Sequence, residues 1–164
     1  MANPSIQSLL QTANECHDFL GAADIPHVVI GGLAVCLHGH TRNSRDVDLL
    51  VRRDDWDRIR QAFESAQYVW HNHRKAYYSP KKVRVDFRFG GDSAGTIEMN
   101  FPNPGADQVR EIIDGLPVIA LANLLETKLA SALCGQGKGG RWARRSKKHF
   151  EDIVGLIKSN DLLP

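Results

Sequence analysis

Cysteine is scarce in this chain: Cys16, Cys36 and Cys134 are its full set, and no two stand in a CxxC spacing. That excludes a disulfide framework and a cysteine-rich zinc site, and reads as free thiols in a reducing compartment. No sign of charge dominates either. The 21 Lys and Arg stand against 19 Asp and Glu, a net +2, so total charge names no partner and local clustering has to. No stretch approaches the ~18 consecutive apolar residues of a membrane span, and no basic region followed by a long apolar run opens the chain. A cytoplasmic, soluble protein without signal peptide or membrane segment is the expectation. No repeat or low-complexity tract interrupts the 164 residues. One domain over residues 1–164, long enough to bury its own core, is expected.

What is present alternates between helix and strand patterns. Asn3 and Pro4 mark the start of a helix whose apolar residues Ile6, Leu9, Leu10, Ala13 and Leu20 recur at helical spacing before Gly21. His27–Ile30 reads as a short buried strand ending at Gly31-Gly32, with a brief helix over Leu33–His38 beyond it. Val47, Leu49 and Val51 alternate with Asp46, Asp48 and Leu50 in a second strand. Asp54 or Asp55 can cap a helix to about Ala66. Tyr68–Tyr78 predicts two short strands around a polar His71–Lys75 turn. Lys82–Phe89 is the clearest strand, with Val83, Val85, Phe87 and Phe89 on one face and Arg84, Asp86 and Arg88 on the other. The remainder predicts a helix over Ala106–Asp114, a strand at Leu116–Ala120 and a helix over Leu121–Leu133. A Gly- and Arg-rich connector over Gly135–Arg145 then leads to a last helix, Ser146–Ser159. The fold class is α/β or α+β: a mixed β-sheet with helices packed mainly on one side.

The chemistry concentrates between residues 28 and 51. Asp46 and Asp48, two apart on a strand, share one face about 7 Å apart between Cα atoms. Side by side they repel unless a hard cation neutralises them. Magnesium fits, because it takes few protein oxygens and completes its octahedron with water and phosphate. Gly31 and Gly32, between a strand and a helix, let backbone N–H groups approach a phosphate. Asp86 lies on the polar face of a strand able to lie beside the first two aspartates. There it could bridge a second metal or activate an attacking hydroxyl, or else simply pair with Arg84 and Arg88 on a solvated face. Lys138, Arg141, Arg144, Arg145, Lys147 and Lys148 crowd around Trp142 with no acidic neighbour among them. Such a patch suits polyphosphate or RNA, and equally suits a solvated connector.

These residues resemble the nucleotidyltransferase superfamily and, within it, the AbiEii-like and MenT-like toxin nucleotidyltransferases. The resemblance is carried by Gly31-Gly32-x-Ala34, Gly39 and Arg42-x-Ser44-x-Asp46-x-Asp48. It continues in Asp114-Gly115-Leu116-Pro117-Val118, the helix around Lys128, and Lys148-His149-Phe150-Glu151-Asp152-Ile153. It implies a nucleotidyltransferase-like fold whose C-terminal helices, about 121–159, complete the site. It further implies Mg2+ (or Mn2+) on Asp46 and Asp48, to which the strand pattern would add Asp86 as a third ligand or base. Gly31, Gly32, Ser44 and Lys128 would contact the nucleotide, and Asp152 would position nucleotide or acceptor. Arg42, Arg141, Arg144, Arg145 and Lys148 are candidate phosphate or RNA contacts. The implied donor is an NTP. The implied acceptor is an RNA 3′ end such as that of tRNA, a protein hydroxyl or a small molecule, with an antitoxin as partner if the chain is a toxin. Relatives often carry serine where this chain has Gly32, and aspartate where it has His149. Two rival readings share these motifs: an inactive nucleotide- or RNA-binding module of the same fold, and a sugar-nucleotide glycosyltransferase, whose metal site also uses Asp-x-Asp.

Overall fold

A computed structural model of the protein describes residues 3–95 and 99–163. Helix α1 spans Ile6–Ala22 and is capped by Ser5, whose Oγ accepts from the Ser8 N–H at 3.1 Å. Asn3, the expected cap, lies two residues too early. Leu9, Thr12, Ala13, Cys16 and Leu20 form the buried stripe of α1. Strand β1 (His27–Ile30) is buried along its whole length and runs directly into α2 (Gly31–Leu37), which starts two residues earlier than the sequence suggested.

Strand β2 (Asp46–Val51) follows, then a 3-10 turn and α3 (Trp56–Ser65). The expected Asp55 side-chain cap is not formed. Asp55 instead takes Arg52 and Arg58 at 2.7 and 3.0 Å. A hairpin of β3 (Val69–His71) and β4 (Ala76–Tyr78) leads to β5 (Arg84–Phe89). Ile59 and Phe63 of α3, with Phe19 of α1, meet the far face of this sheet. Phe63 stacks on Tyr77 with centroids 4.8 Å apart and meets Phe87 edge-on at 5.2 Å.

The helix expected over Ala106–Asp114 does not form. Residues Asp107–Val109 make a 3-10 turn, and β6 (Arg110–Ile113) pairs antiparallel with β7 (Leu116–Ile119). Asp114 and Gly115 both take positive φ, 51° and 81°, the geometry of a two-residue hairpin turn. Asp-Gly between apolar residues was the missed signal.

Among the described residues seven strands form one mixed sheet in the order β3-β4-β5-β2-β1-β7-β6. β2 runs parallel to β5 and antiparallel to β1, and β1 runs parallel to β7. The last two helices, α4 (Leu121–Cys134) and α5 (Arg141–Ser159), pack on each other. Arg141–Arg145, expected in a connector, form the first turn of α5. At the seam the two backbones come so close that a Cβ on Gly135 would lie 2.7 Å from both the Ser146 Cβ and the Trp142 carbonyl. Asn160 donates from Nδ2 to the His38 carbonyl at 2.9 Å, tying the end of α5 back to α2.

Candidate active site

The site begins at the junction of β1 and β2. In register, Asp48 stands opposite Ile30 on one side and opposite Asp86 on the other. Val47 and Leu49 are buried toward the opposite face, so strand alternation puts Asp46 and Asp48 together on the face away from α1 and α3. Oxygens from Asp46, Asp48 and Asp86 all lie within 4.8 Å of one another. Unit charges at that separation repel by roughly 3 kcal/mol per pair at an effective dielectric of about 20. Burial, and then the charges of Asp46 and Asp86, push the Asp48 carboxyl up to about 7. Burial also raises Asp86, while Arg84 opposes the shift. An acidic cluster held together at this cost is suited to a divalent cation with oxygen ligands.

Arginine does not plug the cluster. Arg84 donates to Asp86 Oδ1 at 2.7 and 3.1 Å, the single ion pair that the three aspartates make among the described residues. The paired strand surface and the metal-ligand reading of Asp86 are therefore compatible, since Arg84 takes one oxygen and leaves the other.

Gly31 has φ of 69°, and a Cβ on it would collide with the Asp48 carboxylate. A side chain here would displace the very group that the cluster needs. Gly32 matters differently. A Cβ on it would lie 2.6 Å from Ser44 Oγ, so the space that a serine side chain would fill at position 32 already holds the hydroxyl of Ser44. Ser44 is buried and donates to the Asp46 carbonyl at 3.3 Å.

These groups open on a cleft of about 420 Å³, within the range of ligand pockets. It is lined by Gly31, Gly32, Ser44, the three aspartates and, from the helices α4 and α5, Lys128, Arg145 and Lys148. Arg42 lines it too. Asp152 does not reach the cleft wall. It lies behind, fully buried, where one oxygen accepts from both Arg42 Nη1 at 2.6 Å and Lys128 Nζ at 2.8 Å. Asp152 thus aims two cations that do face the cleft. Burial pulls the Lys128 ammonium down from its ordinary range, and Asp152 opposes that shift. Arg141 and Arg144 are exposed at the start of α5 and do not line the cleft.

The structure adds residues that sequence reasoning left without a role: Arg45, Arg88, Phe101, Thr127, Ser131 and His149. Arg88 was legible as a polar-face neighbour of Asp86, but Phe101 and Ser131 carried no local signal. His149 is the odd member. Among the described residues neither ring nitrogen has a hydrogen-bond partner, both are shielded from solvent, and burial with the Lys128 charge drives its pKa down to about 4. The unfolded chain therefore takes up a proton at this ring near pH 6.5, before the folded protein does. Stability linked to His149 is complete above pH ~6.5 and is lost as the pH falls toward 4. The full shift sets a ceiling of about 3 kcal/mol, and partial access to the cleft reduces it to about 1–2 kcal/mol. His149→Leu is expected to remove this part of the acid limb. Thermal melts of both proteins between pH 4 and 7 check it, and equal slopes would refute it.

The family described as aminoglycoside-2''-adenylyltransferase matches residues 14–112, a span holding the glycine turn and all three aspartates. The chain belongs to this adenylyltransferase family. It is thereby a nucleotidyltransferase, as the motifs led one to expect, while the toxin type is not what the family match reports. Among solved structures, an antigenic nucleotidyltransferase-like protein from Paracoccidioides brasiliensis superposes with a TM-score of 0.64 at 21% identity, over 96% of this chain and 78% of that one. ANT(2")-Ia in complex with adenylyl-2"-tobramycin gives 0.59 at 12%, over 92% and 88%. The lincomycin-bound lincosamide antibiotic adenylyltransferase LnuA gives 0.55 at 14%, over 94% and 98%. At these identities the likeness is one of fold, and it extends through α4 and α5, beyond the segment that the family match covers. No curated protein sequence matches the chain. Among the described residues no helix is long and apolar enough to cross a membrane.

Proposed function

We propose that this family member moves a nucleoside monophosphate from an NTP to an acceptor hydroxyl and depends on a divalent metal to do so. One observation carries the reading: the acidic triad, the glycine turn and the Lys128 ammonium converge on a single cleft. Asp46, Asp48 and Asp86 would hold Mg2+ or Mn2+, which would supply positive charge to polarise the α-phosphate and to neutralise departing pyrophosphate. The carboxylates fit such an ion, since nearby cations offset their repulsion only in part and Asp48 is still pushed up to about 7.

The chain's own groups account for the rest. Gly31 and Gly32 let the backbone approach the triphosphate, with Ser44 Oγ beside them. Lys128 and Arg42, held by Asp152, set fixed positive charge against the phosphates as negative charge builds on the leaving group. Asp86, the most enclosed of the three acids and raised in pKa, is placed to take the proton of the attacking hydroxyl. The single body of residues 1–164 acts as one unit in this reading, with α4 and α5 forming one wall of the cleft. An NTP-consuming reaction also fits the cytoplasm, where nucleotide and magnesium are plentiful. The family's name points to an aminoglycoside acceptor. The motif likeness to AbiEii and MenT toxins points instead to an RNA or protein acceptor and an antitoxin partner.

The test offers each labelled NTP with Mg2+, Mn2+ or chelator and scores release of pyrophosphate. Metal-dependent turnover, lost in Asp46→Asn, is the expected result. Nucleotide binding without turnover on any acceptor would favour the inactive module.

A further inference from the structure

The loop between α2 and β2 carries Arg42 and Ser44 to the cleft, and it is laid in register along the end of α5. Asn160 donates to the His38 carbonyl, a Cβ on Gly39 would lie 3.7 Å from that of Ser159, and Asp152 takes Arg42 at 2.6 Å. Between these contacts stands Gly155, buried at an interior position of a 19-residue helix, where glycine is less favourable than alanine. The missing side chain has a reason. A Cβ on Gly155 would collide with the imidazole of His40, whose Nδ1, Cε1 and Cδ2 atoms lie nearly equidistant from that point. The ring therefore lies flat across the helix backbone, in a notch that any larger residue would close.

His40 itself does not line the cleft. It bears on the site through geometry. Gly155 and Asp152 are three residues apart on one face of α5, a rise of about 4.5 Å, and His40 and Arg42 are two residues apart in the loop. The other side of the loop is fixed by α2 and the strand before it. The His40 N–H donates to the Val35 carbonyl at 3.2 Å, and the Cys36 thiol donates to the Arg42 carbonyl at 3.3 Å. The seat of the ring at Gly155 then sets how far along α5 the loop lies, and with it where the Arg42 guanidinium meets Asp152. A ring that only packed the helix would matter to stability alone. A ring that sets register matters to phosphate binding, because a displacement of about 1 Å at a positioned charge is costly.

We propose that His40 is a positioning residue for the nucleotide: seated in the notch at Gly155, it holds the loop where Asp152 can aim Arg42 at the triphosphate. The proposal rests on the nucleotidyl-transfer reading and adds to it a residue outside the cleft, acting through Arg42.

The test reads the affinity of non-hydrolysable NTP analogues with Mg2+, below the melting temperature of every variant and at low salt, so that weakened binding stays measurable. His40→Ala is expected to weaken the best-bound analogue at least fivefold. His40→Phe keeps a flat ring and should weaken it less than twofold. In an Arg42→Ala background the same His40→Ala change should alter the affinity less than twofold, because the guanidinium that the ring places is gone. Thermal melts supply a second arm. Gly155→Ala is expected to lower Tm in the native background, where the ring is expelled. It should raise Tm by about 2–4 °C in the His40→Ala background, where the notch is empty and alanine is the better helix former. An affinity unmoved by His40→Ala, or an equal loss with and without Arg42, overturns the positioning role and leaves nucleotide binding standing. A Gly155→Ala change that raises Tm in both backgrounds overturns the seat itself. Native protein that binds no NTP analogue, whichever the base, overturns the nucleotidyl-transfer reading and the role of His40 with it.

Discussion

Replacing Asp48 by asparagine is expected to abolish transfer and, in chelator, to make the protein harder to melt. The two effects have one cause. Asp48 is enclosed by Ile30, the Gly31 turn and the strand bearing Asp86, so its charge is poorly solvated and faces two other carboxylates. Its carboxyl, raised to about 7, costs stability as it ionises in the fold, beginning near its unfolded pKa of about 4 and reaching the full amount above pH 7. Asparagine keeps the shape and removes the charge. Allowing for water that reaches the cleft, relief on the order of 2 kcal/mol follows, or about 4–8 °C in Tm for a domain of this size. Metal reverses the order. Mg2+ or Mn2+ should raise the melting temperature of the native protein and leave the variant nearly unmoved, because the variant has lost a charged ligand. Activity should fall on the order of 10³-fold or more, the scale of losing transition-state charge stabilisation. A variant that melts lower in chelator, or that still gains stability from magnesium as the native protein does, would refute this account of the cluster.

The second large effect lies behind the cleft, at Asp152. Its side chain is 3% exposed and one oxygen serves both Arg42 and Lys128. Asp152→Ala leaves two enclosed cations facing each other with no counter-charge. Breaking a buried pair in this way costs about 3–5 kcal/mol, far more than the pair's net worth. The expected fall in Tm is roughly 8–15 °C. Replacing both ends of the pair separates stability from function. Lys128→Met/Asp152→Leu removes the more buried of the two stranded cations and leaves only Arg42, whose side chain is the more exposed, so part of the lost stability should return. Its nucleotide KM should nonetheless rise at least tenfold, because the Lys128 ammonium no longer faces the triphosphate. If stability returned with an unchanged KM, Lys128 would be a structural cation and no more. Chemical denaturation together with initial rates at varied NTP decides between the two.

Both predictions turn on contacts that chain-local patterns cannot reach, and this marks how far the sequence could be read. Strand alternation alone put Asp46 and Asp48 on one face, and the same alternation put Arg84, Asp86 and Arg88 on another strand's polar face. Both patterns are present in the fold. The glycine pair between strand and helix was equally legible, and so was the mixed sheet with its helices. Boundaries were weaker. The Ala106–Asp114 segment looked helical because Val109, Ile112 and Ile113 suit a helix as well as a strand. The Asp114-Gly115 turn, with both residues at positive φ, resolves it as a hairpin. The start of α5 was hidden by the Arg- and Gly-rich composition, which reads as a connector until α4 is there to pack against.

Backbone stereochemistry and residue periodicity thus determined, from the sequence alone, which residue types could share a face: paired aspartates, a side-chain-free turn, a helix bearing Lys128. Tertiary structure alone decided that β5 docks parallel to β2 with Asp86 level with Asp48. It also decided that Ser44 fills the space beside Gly32, and that Asp152, 110 residues from Arg42, holds it and Lys128 together. The physical reason is range. Periodicity acts over a few residues, whereas these contacts join segments far apart in the chain and exist only once burial of the apolar faces has brought the sheet and the last two helices together.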